Sequence, residues 1–302
     1  MYLERKLQDA LAGRYEIGIL DNSLEDILAG RPLKINLVKH SYKDRWFADP
    51  FVLDVDDTAI EILVEEYYYP EAKGRIAKLR IDRNSLRIID NKTVLTLETH
   101  LSFPLIRREN DSVFVIPENG QSGKLVKYKY DKDSEQLIPD TDLIDKPLAD
   151  AVDINIGEDR YLFCTVCPDH SGSKLSIYKE HNGVYEPSQT FDFNGNNIAR
   201  MAGDFFICNN QLYRPCQDCN DRYGYGFLIQ EVSMANGRFN FKTLSRYTSP
   251  LKRWNLGLHT LNSYKGVMVT DVLGYTIHPS LTKACGYTLG AISRIKKVWH
   301  GK

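Results

Sequence analysis

Long apolar runs are missing from this chain of 302 residues. No stretch approaches the roughly 18 consecutive apolar residues that a membrane-spanning helix needs, so we expect no membrane span. The first residues, MYLERKLQDALAG, are charged and lack the apolar core of a secretory signal. The 6 cysteines are therefore expected to be reduced thiols, as in a cytoplasmic protein.

The chain also lacks a marked surplus of positive or of negative charge. The chain has 39 Lys and Arg against 40 Asp and Glu, a formal net charge of -1. Binding to a phosphate backbone draws on a basic surplus, so we expect no nucleic-acid partner. The sequence also contains no P-loop, no dinucleotide-binding G-x-G-x-x-G and no serine nucleophile elbow. The function classes that depend on those motifs receive no support.

What the sequence does contain is a repeat of about fifty residues. Each copy has an apolar strand, a turn rich in Asp, Asn or Gly, and a second apolar strand. The five copies begin at Ala48, Ser102, Val152, Gly203 and His259. A period of this length is typical of propeller blades.

A second sequence pattern recurs in register with the repeated hairpins. A segment that alternates apolar with polar residues follows each of the first four hairpins, beginning at Gly74, Gly123, Ser173 and Gly224. Such alternation predicts a half-buried strand. Three strands and a less regular fourth, repeated five times, predict an all-β, five-bladed β-propeller. The alternative is an irregular β-sandwich with chance spacing, which two patterns in register disfavour.

The domain organisation follows from the absence of any Pro-, Gly- or Ser-rich linker. We expect a single domain over residues 1–302, with blades over 41–272 and a closing segment over 273–302. Residues 1–40 match no blade and are interpreted as a short α/β N-terminal extension. It would contain a helix over LERKLQDALAG, a strand over RYEIGIL and a capped helix beginning near Ser23.

Polar residues recur at one end of every predicted hairpin. Because the strands are antiparallel, the start of the first strand and the end of the second lie together. If the first strand is innermost, both positions converge on the mouth of a central channel. The strand starts contribute Asp49, Ser102, Asp153 and His259, and the hairpin ends contribute Glu66, Glu118, Asp218 and Asp271.

Carboxylates gathered at such a mouth have a chemical consequence. Like charges at short range shift one another's pKa, so one carboxyl group can donate a proton while another acts as base or nucleophile. Glycosidic cleavage requires that division of roles. The alternative for each carboxylate is the capping of a turn.

Several long motifs carry a resemblance to a known family. They are WFADPF, HLSFPLI…VFVIPEN, GNNIARMAGDFFICNNQLYRPCQD…YGYG and GLHTLN…GVMVTD. They are similar to the propeller domain that precedes the transferase domain in plant glucosamine inositolphosphorylceramide transferases, a family with stand-alone bacterial members. The resemblance covers roughly residues 14–272 and extends to the furanosidase-like propellers, namely arabinanases, β-xylosidases and invertases. The transferase domain has no counterpart in this sequence, so the resemblance does not imply the transferase activity.

The furanosidase-like resemblance implies three catalytic carboxyl groups. Asp49 matches the first-blade Asp that acts as base or nucleophile, and Asp153 matches the Asp that orients substrate and tunes pKa. The third group is a Glu that donates a proton, but the fourth-blade motif RPCQD contains no Glu. Glu118 is therefore the best substitute, and Glu66 the next.

Ligand binding is expected from donors and aromatic rings around the same mouth. Tyr and Trp combine an apolar face with a polar tip, which suits the mixed surface of a sugar. The expected substrate-binding residues are Glu66, Arg200, Arg214, Gln217, Asp218, His259, Asp271, Trp46 and Tyr225. No cofactor is expected, except that some furanosidase-like propellers hold a calcium ion or a water molecule beside a central histidine. His259 could be that histidine, or a hydrogen-bonded structural one.

Two C-x-x-C pairs, Cys164 with Cys167 and Cys216 with Cys219, raise the alternative of a zinc site. Alternation along a strand directs the first pair to opposite faces, which is unsuited to two ligands of one metal. Buried thiols that pack as small apolar groups are the preferred interpretation.

Two hypotheses of function follow. The first is a carbohydrate-active enzyme that cleaves or transfers a glycosyl group, with Asp49 as base or nucleophile and Glu118 as proton donor. The second is a non-catalytic propeller that binds a glycan and works with a separate glycosyltransferase.

Overall fold

The computed structural model of the chain describes residues 12–275 and folds them into five four-stranded antiparallel sheets. In the first four sheets, each predicted hairpin supplies the two inner strands, and the alternating segment supplies the third. Inner strands of neighbouring sheets contact one another, so the sheets are blades around a central channel. The predicted all-β, five-bladed β-propeller is confirmed.

The strands of each blade follow one another outwards from the channel. The first blade consists of β3 (Arg45–Val55), β4 (Ala59–Tyr68), β5 (Lys73–Asp82) and β6 (Ile88–Leu95). The second consists of β7 (Ser102–Glu109), β8 (Ser112–Glu118), β9 (Leu125–Asp131) and β10 (Gln136–Ile144). The third consists of β11 (Leu148–Ile156), β12 (Asp159–Val166), β13 (Lys174–His181) and β14 (Val184–Asp192).

The last two blades differ from the first three in that the innermost strand of each is short. The fourth blade consists of β15 (Phe206–Cys208), β16 (Gln211–Asp218), β17 (Gly226–Ala235) and β18 (Arg238–Thr248). The fifth consists of β19 (Leu261–Tyr264), β20 (Val267–Tyr275), β1 (Ala12–Leu20) and β2 (Ile35–Leu37).

The composition of the fifth blade corrects the predicted N-terminal extension. β1 pairs antiparallel with β20 over its whole length, and β2 pairs with β1. Residues 1–40 therefore contribute two blade strands instead of standing outside the blades. Pairing the first strand with the last closes the ring, since separating them would leave two rows of backbone N–H and C=O groups without partners. Of the predicted closing segment, 273–275 end β20 and the rest lies outside the described residues.

The predicted capped helix is present as α1 (Leu24–Leu28) between β1 and β2. Ser23 and Asp26 form a reciprocal capping box, in which each side chain accepts the backbone N–H of the other residue. The helix packs on the fourth blade, where Tyr247 donates a hydrogen bond to the carbonyl of Ile27 at 2.6 Å. The helix predicted over LERKLQDALAG lies outside the described residues, except that its last two residues begin β1. Across residues 12–275, no helix combines the length and apolar character needed to cross a membrane.

Three inner strands carry the same irregularity near the channel. The register shifts between Ala48 and Phe51 in β3, and at the matching points of β7 and β11. The residue at each bulge has a left-handed backbone, with φ of 50° at Asp49, 42° at Phe103 and 48° at Asp150. A bulge bends the strand and redirects a side chain, so these residues are turned towards the channel.

Carboxylates from the preceding blade receive the amides of these bulges. The N–H of Asp49 donates to Asp271 at 3.0 Å, and the N–H of Phe103 donates to Asp49 at 3.1 Å. The N–H of Asp150 donates to Glu118 at 2.8 Å. Each carboxylate therefore joins two blades and satisfies an amide that the sheet ladder does not use.

The other end of the channel, called here the turn end because the hairpin turns lie there, is crossed by two arginines of β7. Arg107 forms a paired contact with the carboxylate of Asp204 and donates to the carbonyl of Asp153, so it reaches the third and fourth blades. Arg108 donates to the carbonyls of Val52 and Leu53 and stacks 3.5 Å from the ring centre of Tyr264. Together they connect the second blade to the other four.

We predict that Gly203→Ala destabilises the fold much more than Gly183→Ala. Both glycines have positive φ, 146° and 83°, so both substitutions strain the backbone, by about 1–2 kcal/mol. An added Cβ at Gly203 also collides with the carbonyl of Leu261 in the fifth blade, whereas at Gly183 it meets nothing within 4 Å. Overpacking adds about 1–3 kcal/mol, measurable as the difference in unfolding free energy in denaturant. Equal losses would contradict the close contact of the two blades.

Candidate functional site

A cavity of about 230 Å³ opens at the end of the channel opposite the turn end, and is called here the mouth. Residues of three predicted hairpins, the first, second and fifth, contribute to it, together with β1 and segments next to the other two hairpins. Its lining consists of Tyr15, Trp46, Asp49, Glu65, His100, Ser102, Glu118, Ala149, Cys167, His170, Arg200, Tyr223 and His259. The predicted residues Trp46, Asp49, Glu118, Arg200 and His259 are thus brought together.

Asp49 is the most enclosed carboxyl group of this lining, with 5% of the residue exposed. One oxygen accepts the N–H of Phe103, and the other lies 3.6 Å from Nε2 of His259. Burial raises the pKa of Asp49 well above its ordinary value, by more than the charge of His259 lowers it, and the charge of Glu65 adds to the rise. Asp49 therefore keeps its proton to a higher pH than an ordinary aspartate does.

His259 and Asp271 form a buried ion pair directly behind Asp49. Nδ1 of His259 lies 2.7 Å from Asp271, whose carboxylate also accepts the backbone N–H groups of Asp49, His259 and Thr260. Burial alone lowers the pKa of His259, but the charges of Asp271 and Asp49 outweigh it and raise the value to about 9. The charge of His259 in turn lowers the pKa of Asp271 against the effect of burial.

The same three groups are the candidate ligands for a calcium ion of the kind that some furanosidase-like propellers hold. Asp49, His259 and Asp271 are the one trio of possible ligands in the described ranges whose atoms lie within 4.8 Å of one another. Calcium takes about 6–8 oxygen ligands, whereas this trio includes an imidazole, and both oxygens of Asp271 already accept hydrogen bonds. The donor set fits calcium poorly, and no step is derived through a metal.

Asp150 forms a second polar centre, behind the mouth and in contact with the lining residue Arg200, although the sequence interpretation did not single it out. Nε of Arg200 lies 2.7 Å from its carboxylate in an ion pair, and Nε2 of Gln217 donates to it at 3.2 Å. Burial raises the pKa of Asp150 to about 7; Arg200 opposes the rise and Glu118 adds to it. Asp150 therefore changes charge near neutral pH.

Aromatic rings form the rim. Trp46 is stacked on Tyr67, with ring centres 4.8 Å apart and an interplanar angle of 3°. Tyr223 is 45% exposed, lies over the Arg200 guanidinium at 5.0 Å and meets the ring of His259 edge-on. A sugar ring could lie against these faces while its hydroxyl groups reach the carboxylates below.

Two predicted site residues are corrected by strand geometry. Asp153 lies towards the turn end, where it is paired with Arg160 and accepts a hydrogen bond from Tyr185. Asp150, three residues earlier, lies at the bulge of β11, as Asp49 lies at the bulge of β3. Glu66 is fully buried between Arg45 and Arg75.

Neighbouring residues of a strand face opposite sides, so Glu65 lines the mouth instead of Glu66. Its carboxylate lies 3.2 Å from Nε2 of His100, whose Nδ1 accepts the N–H of Gly74. With Nδ1 as acceptor, the proton of His100 is on Nε2 and donates to Glu65. The imidazole is neutral in this arrangement, in spite of the rise in its pKa that Glu65 produces against burial.

Three further predicted binding residues lie away from the lining, and a fourth acts behind it. Asp218 is paired with Arg246, and Arg214 is enclosed among Gln230 and backbone carbonyls. Tyr225 is tied to the carbonyl of Asp218 through its own N–H and does not line the mouth. Gln217 is behind the lining and acts on it through Asp150.

Asp150 was not identified from the sequence, although a local motif could have indicated it. The tripeptide Ala-Asp-Ala around it matches Ala-Asp-Pro around Asp49, at the same point of the blade. Strand alternation could have indicated Glu65. Tyr15, His100 and His170 had no signal, because they come from strands and loops outside the repeated hairpins.

The cysteines do not form a metal site within residues 12–275. Cys164 and Cys216 are fully buried, and burial raises the pKa of both thiols. The one group of three close ligands in this range contains no cysteine. The interpretation of buried, reduced thiols agrees with these positions for Cys164 and Cys216, while Cys167 lines the mouth.

The fold and the mouth define a five-bladed propeller with an acidic, aromatic-rimmed cavity. The chain belongs to the family described as glucosamine inositolphosphorylceramide transferase 1, N-terminal, whose family model matches residues 35–243. The glucosamine inositolphosphorylceramide transferase 1 of Oryza sativa is 26% identical over 204 residues, which cover 61% of this chain and 26% of the relative. That of Arabidopsis thaliana is 25% identical over 213 residues, 63% of this chain and 26% of the relative. The chain therefore spans about a quarter of the length of these relatives.

Solved structures share the fold at low sequence identity. An exo-β-1,3-galactanase from Phanerochaete chrysosporium superposes with a TM-score of 0.53 at 6% identity, over 70% of this chain and 54% of the galactanase. A GH43_1 enzyme from Xanthomonas citri superposes with a TM-score of 0.50 at 10% identity, over 77% of this chain and 88% of that enzyme. Both similarities concern the propeller architecture.

We predict that the His259–Asp271 pair makes stability fall as pH rises. The pKa of His259 is about 9 in the fold against 6.5 for an ordinary histidine, so its stabilisation is complete below 6.5 and is lost towards pH 9. The loss should be on the order of 3 kcal/mol, measured as unfolding free energy at pH 6.5 and 9. In Asp271→Asn the imidazole should titrate well below 9 by NMR, and this part of the pH dependence should disappear. An unchanged His259 titration in the variant would refute the pairing.

Proposed function

We propose that this chain binds a glycosyl residue at the mouth and acts on it by carboxylate acid–base catalysis. The observation that carries the proposal is one cavity that holds a carboxyl group with a raised pKa, Asp49, beside the carboxylates of Glu65 and Glu118. Environments that separate the protonation of neighbouring carboxyl groups are the requirement for glycosyl transfer to or from oxygen.

The geometry favours different roles from those that the resemblance implies. Asp49 is suited to donate a proton, because burial raises its pKa. Glu118 is less suited, since it accepts the N–H of Asp150 and faces Arg200 at 3.9 Å. Glu65 accepts from His100, and its charge acts on Asp49, so we assign it as the base or nucleophile.

The remaining lining supports a sugar as the ligand. The mouth is smaller than the roughly 300–1,000 Å³ of sites for drug-sized ligands, so it suits one sugar ring. Arg200 and Ser102 offer hydrogen-bond donors, and Trp46 and Tyr223 offer aromatic faces. Family membership and the fold of the galactanase support a glycan-related function. A separate glycosyltransferase as partner and a cytoplasmic location remain predictions.

A second candidate is a propeller that binds a glycan without reacting with it. The residues around the fourth blade favour this second candidate. Arg200 and Gln217 bind the carboxylate of Asp150. Among the described residues, no carboxylate of β16 lines the mouth. A site that has replaced a carboxylate by a cation can keep its affinity for sugar hydroxyl groups and lose a catalytic proton.

The test combines turnover with binding. Activated pyranosides and furanosides are offered with and without an acceptor sugar to the wild type, Asp49→Asn, Glu65→Gln and the exposed control Asp54→Asn. Loss of a general acid or base reduces the rate by about 10²–10⁴-fold, so we expect that loss in the first two variants alone, with sugar binding by calorimetry retained.

The outcomes separate the two candidates. Saturable sugar binding without turnover in the wild type would establish the binding propeller. Neither binding nor turnover across the panel would overturn the assignment of the mouth as a sugar site. Equal loss of turnover in Asp54→Asn would show that the effect is structural.

A further inference from the structure

A larger cavity, of about 540 Å³, lies at the turn end of the channel and has no part in the proposed reaction. It is enclosed by the ends of β7 and β11 and by the segment that leads into β15. Its volume falls within the roughly 300–1,000 Å³ of small-molecule sites. The inner strands separate it from Asp49, so a ligand here would be independent of one at the mouth.

Three arginines, Arg107, Arg108 and Arg160, line this cavity. Arg107 is engaged by Asp204 and Arg160 by Asp153. Nε and Nη1 of Arg108 and Nη1 of Arg160 make no hydrogen bond to any residue within 12–275. The cavity therefore offers hydrogen-bond donors that the described part of the protein does not use.

The three carboxylates that line the same cavity are already paired with cations. Glu109 lies 3.5 Å from Nη2 of Arg160 and 3.5 Å from Nζ of Lys127. Both oxygens of Asp153 accept from Arg160, and one also accepts from Tyr185. Both oxygens of Asp204 accept from Arg107, and one also accepts the N–H of Phe205. A ligand that matches these side chains must bring acceptors, and guanidinium groups pair best with the planar or tetrahedral oxygens of carboxylates and phosphates.

Apolar side chains also line the cavity. They are those of Phe205, Phe206, Ile207 and Leu212, and Ile207 is 69% exposed. Large apolar side chains that are exposed beside a polar cavity mark a ligand or partner site more often than isolated ones do. The ligand that fits both kinds of side chain carries an oxyanion together with an apolar ring or chain.

We propose that the turn-end cavity is a second ligand site, which binds a phosphate or carboxylate attached to an apolar group. Arg108 provides the principal donors, and Ile207 with its neighbouring aromatic rings contacts the apolar part. The site is independent of the glycosyl chemistry proposed for the mouth.

Phenyl phosphate, phenylacetate, inorganic phosphate and phenol are titrated into the full chain by calorimetry. We expect saturable binding of at least one of the two aromatic anions, and inorganic phosphate weaker by at least about tenfold, since burying a ring adds about 1.5–3 kcal/mol. The preference between phenyl phosphate and phenylacetate distinguishes the two oxyanions. Phenol should bind at least about tenfold more weakly than the better anion.

Variants locate the site without disturbing the fold. Ile207→Glu places a negative charge at an exposed position among the apolar residues of the cavity. It should weaken binding of the aromatic anion by at least about tenfold. Ile89→Glu makes the same change at an isoleucine that is 58% exposed on the outermost strand of the first blade, and should leave binding unchanged. Arg108→Gln should weaken binding, and Asp49→Asn should not.

Binding of phenol as tight as that of both anions would overturn the proposal, as would absence of binding by all four probes. Equal losses in Ile207→Glu and Ile89→Glu would place the ligand elsewhere and also overturn it. Loss in Asp49→Asn would mean that the probe occupies the mouth, so failure here is distinguishable from failure of the proposed function.

Discussion

Buried carboxylates that accept backbone amides across blade boundaries determine much of the arrangement around the channel. Asp271 receives the N–H of Asp49, Asp49 receives that of Phe103, and Glu118 receives that of Asp150. The bulges turn these amides away from their own sheets, and a buried amide without a partner costs about 1–3 kcal/mol. The same contacts hold neighbouring blades together; Asp49 lines the mouth, and Asp150 lies behind it in contact with Arg200. Structure and candidate chemistry therefore depend on one set of groups.

The protonation states at the mouth follow from how each carboxyl group is compensated. Asp271 has a histidine in contact and four donated hydrogen bonds, so its pKa is lowered. Asp49 shares that histidine only at 3.6 Å, and burial raises its pKa. The environment of Asp150 is intermediate between those of Asp271 and Asp49. Burial raises the pKa of Asp150, and Arg200 offsets part of that rise, so that the value is about 7. Three aspartates of one channel thus receive three different environments, which is the condition for dividing acid and base roles.

The two ends of the channel differ in the charge that they offer a ligand. The mouth presents carboxyl groups and aromatic rings, which suit hydroxyl groups and sugar faces. The turn end presents guanidinium groups of Arg107 and Arg108, which also cross between blades. The two cavities have no lining residue in common, so the two sites share the scaffold without sharing a ligand. A propeller can support unrelated sites at its two ends for this reason.

The sequence by itself determined the number of blades, the hairpin in each and the presence of Asp49 and Glu118 at a common mouth. Periodicity of apolar residues and turn chemistry are local properties, and they also identified the helix capped by Ser23. Only the tertiary structure decided that β1 and β2 complete the fifth blade, since pairing of β1 with β20 joins residues 248 to 263 positions apart. It also decided that Glu65 lines the mouth instead of Glu66, and that Asp150 instead of Asp153 lies behind the mouth in contact with Arg200. A single bulge or a one-residue change of register reverses the face of a side chain, and local sequence does not specify either.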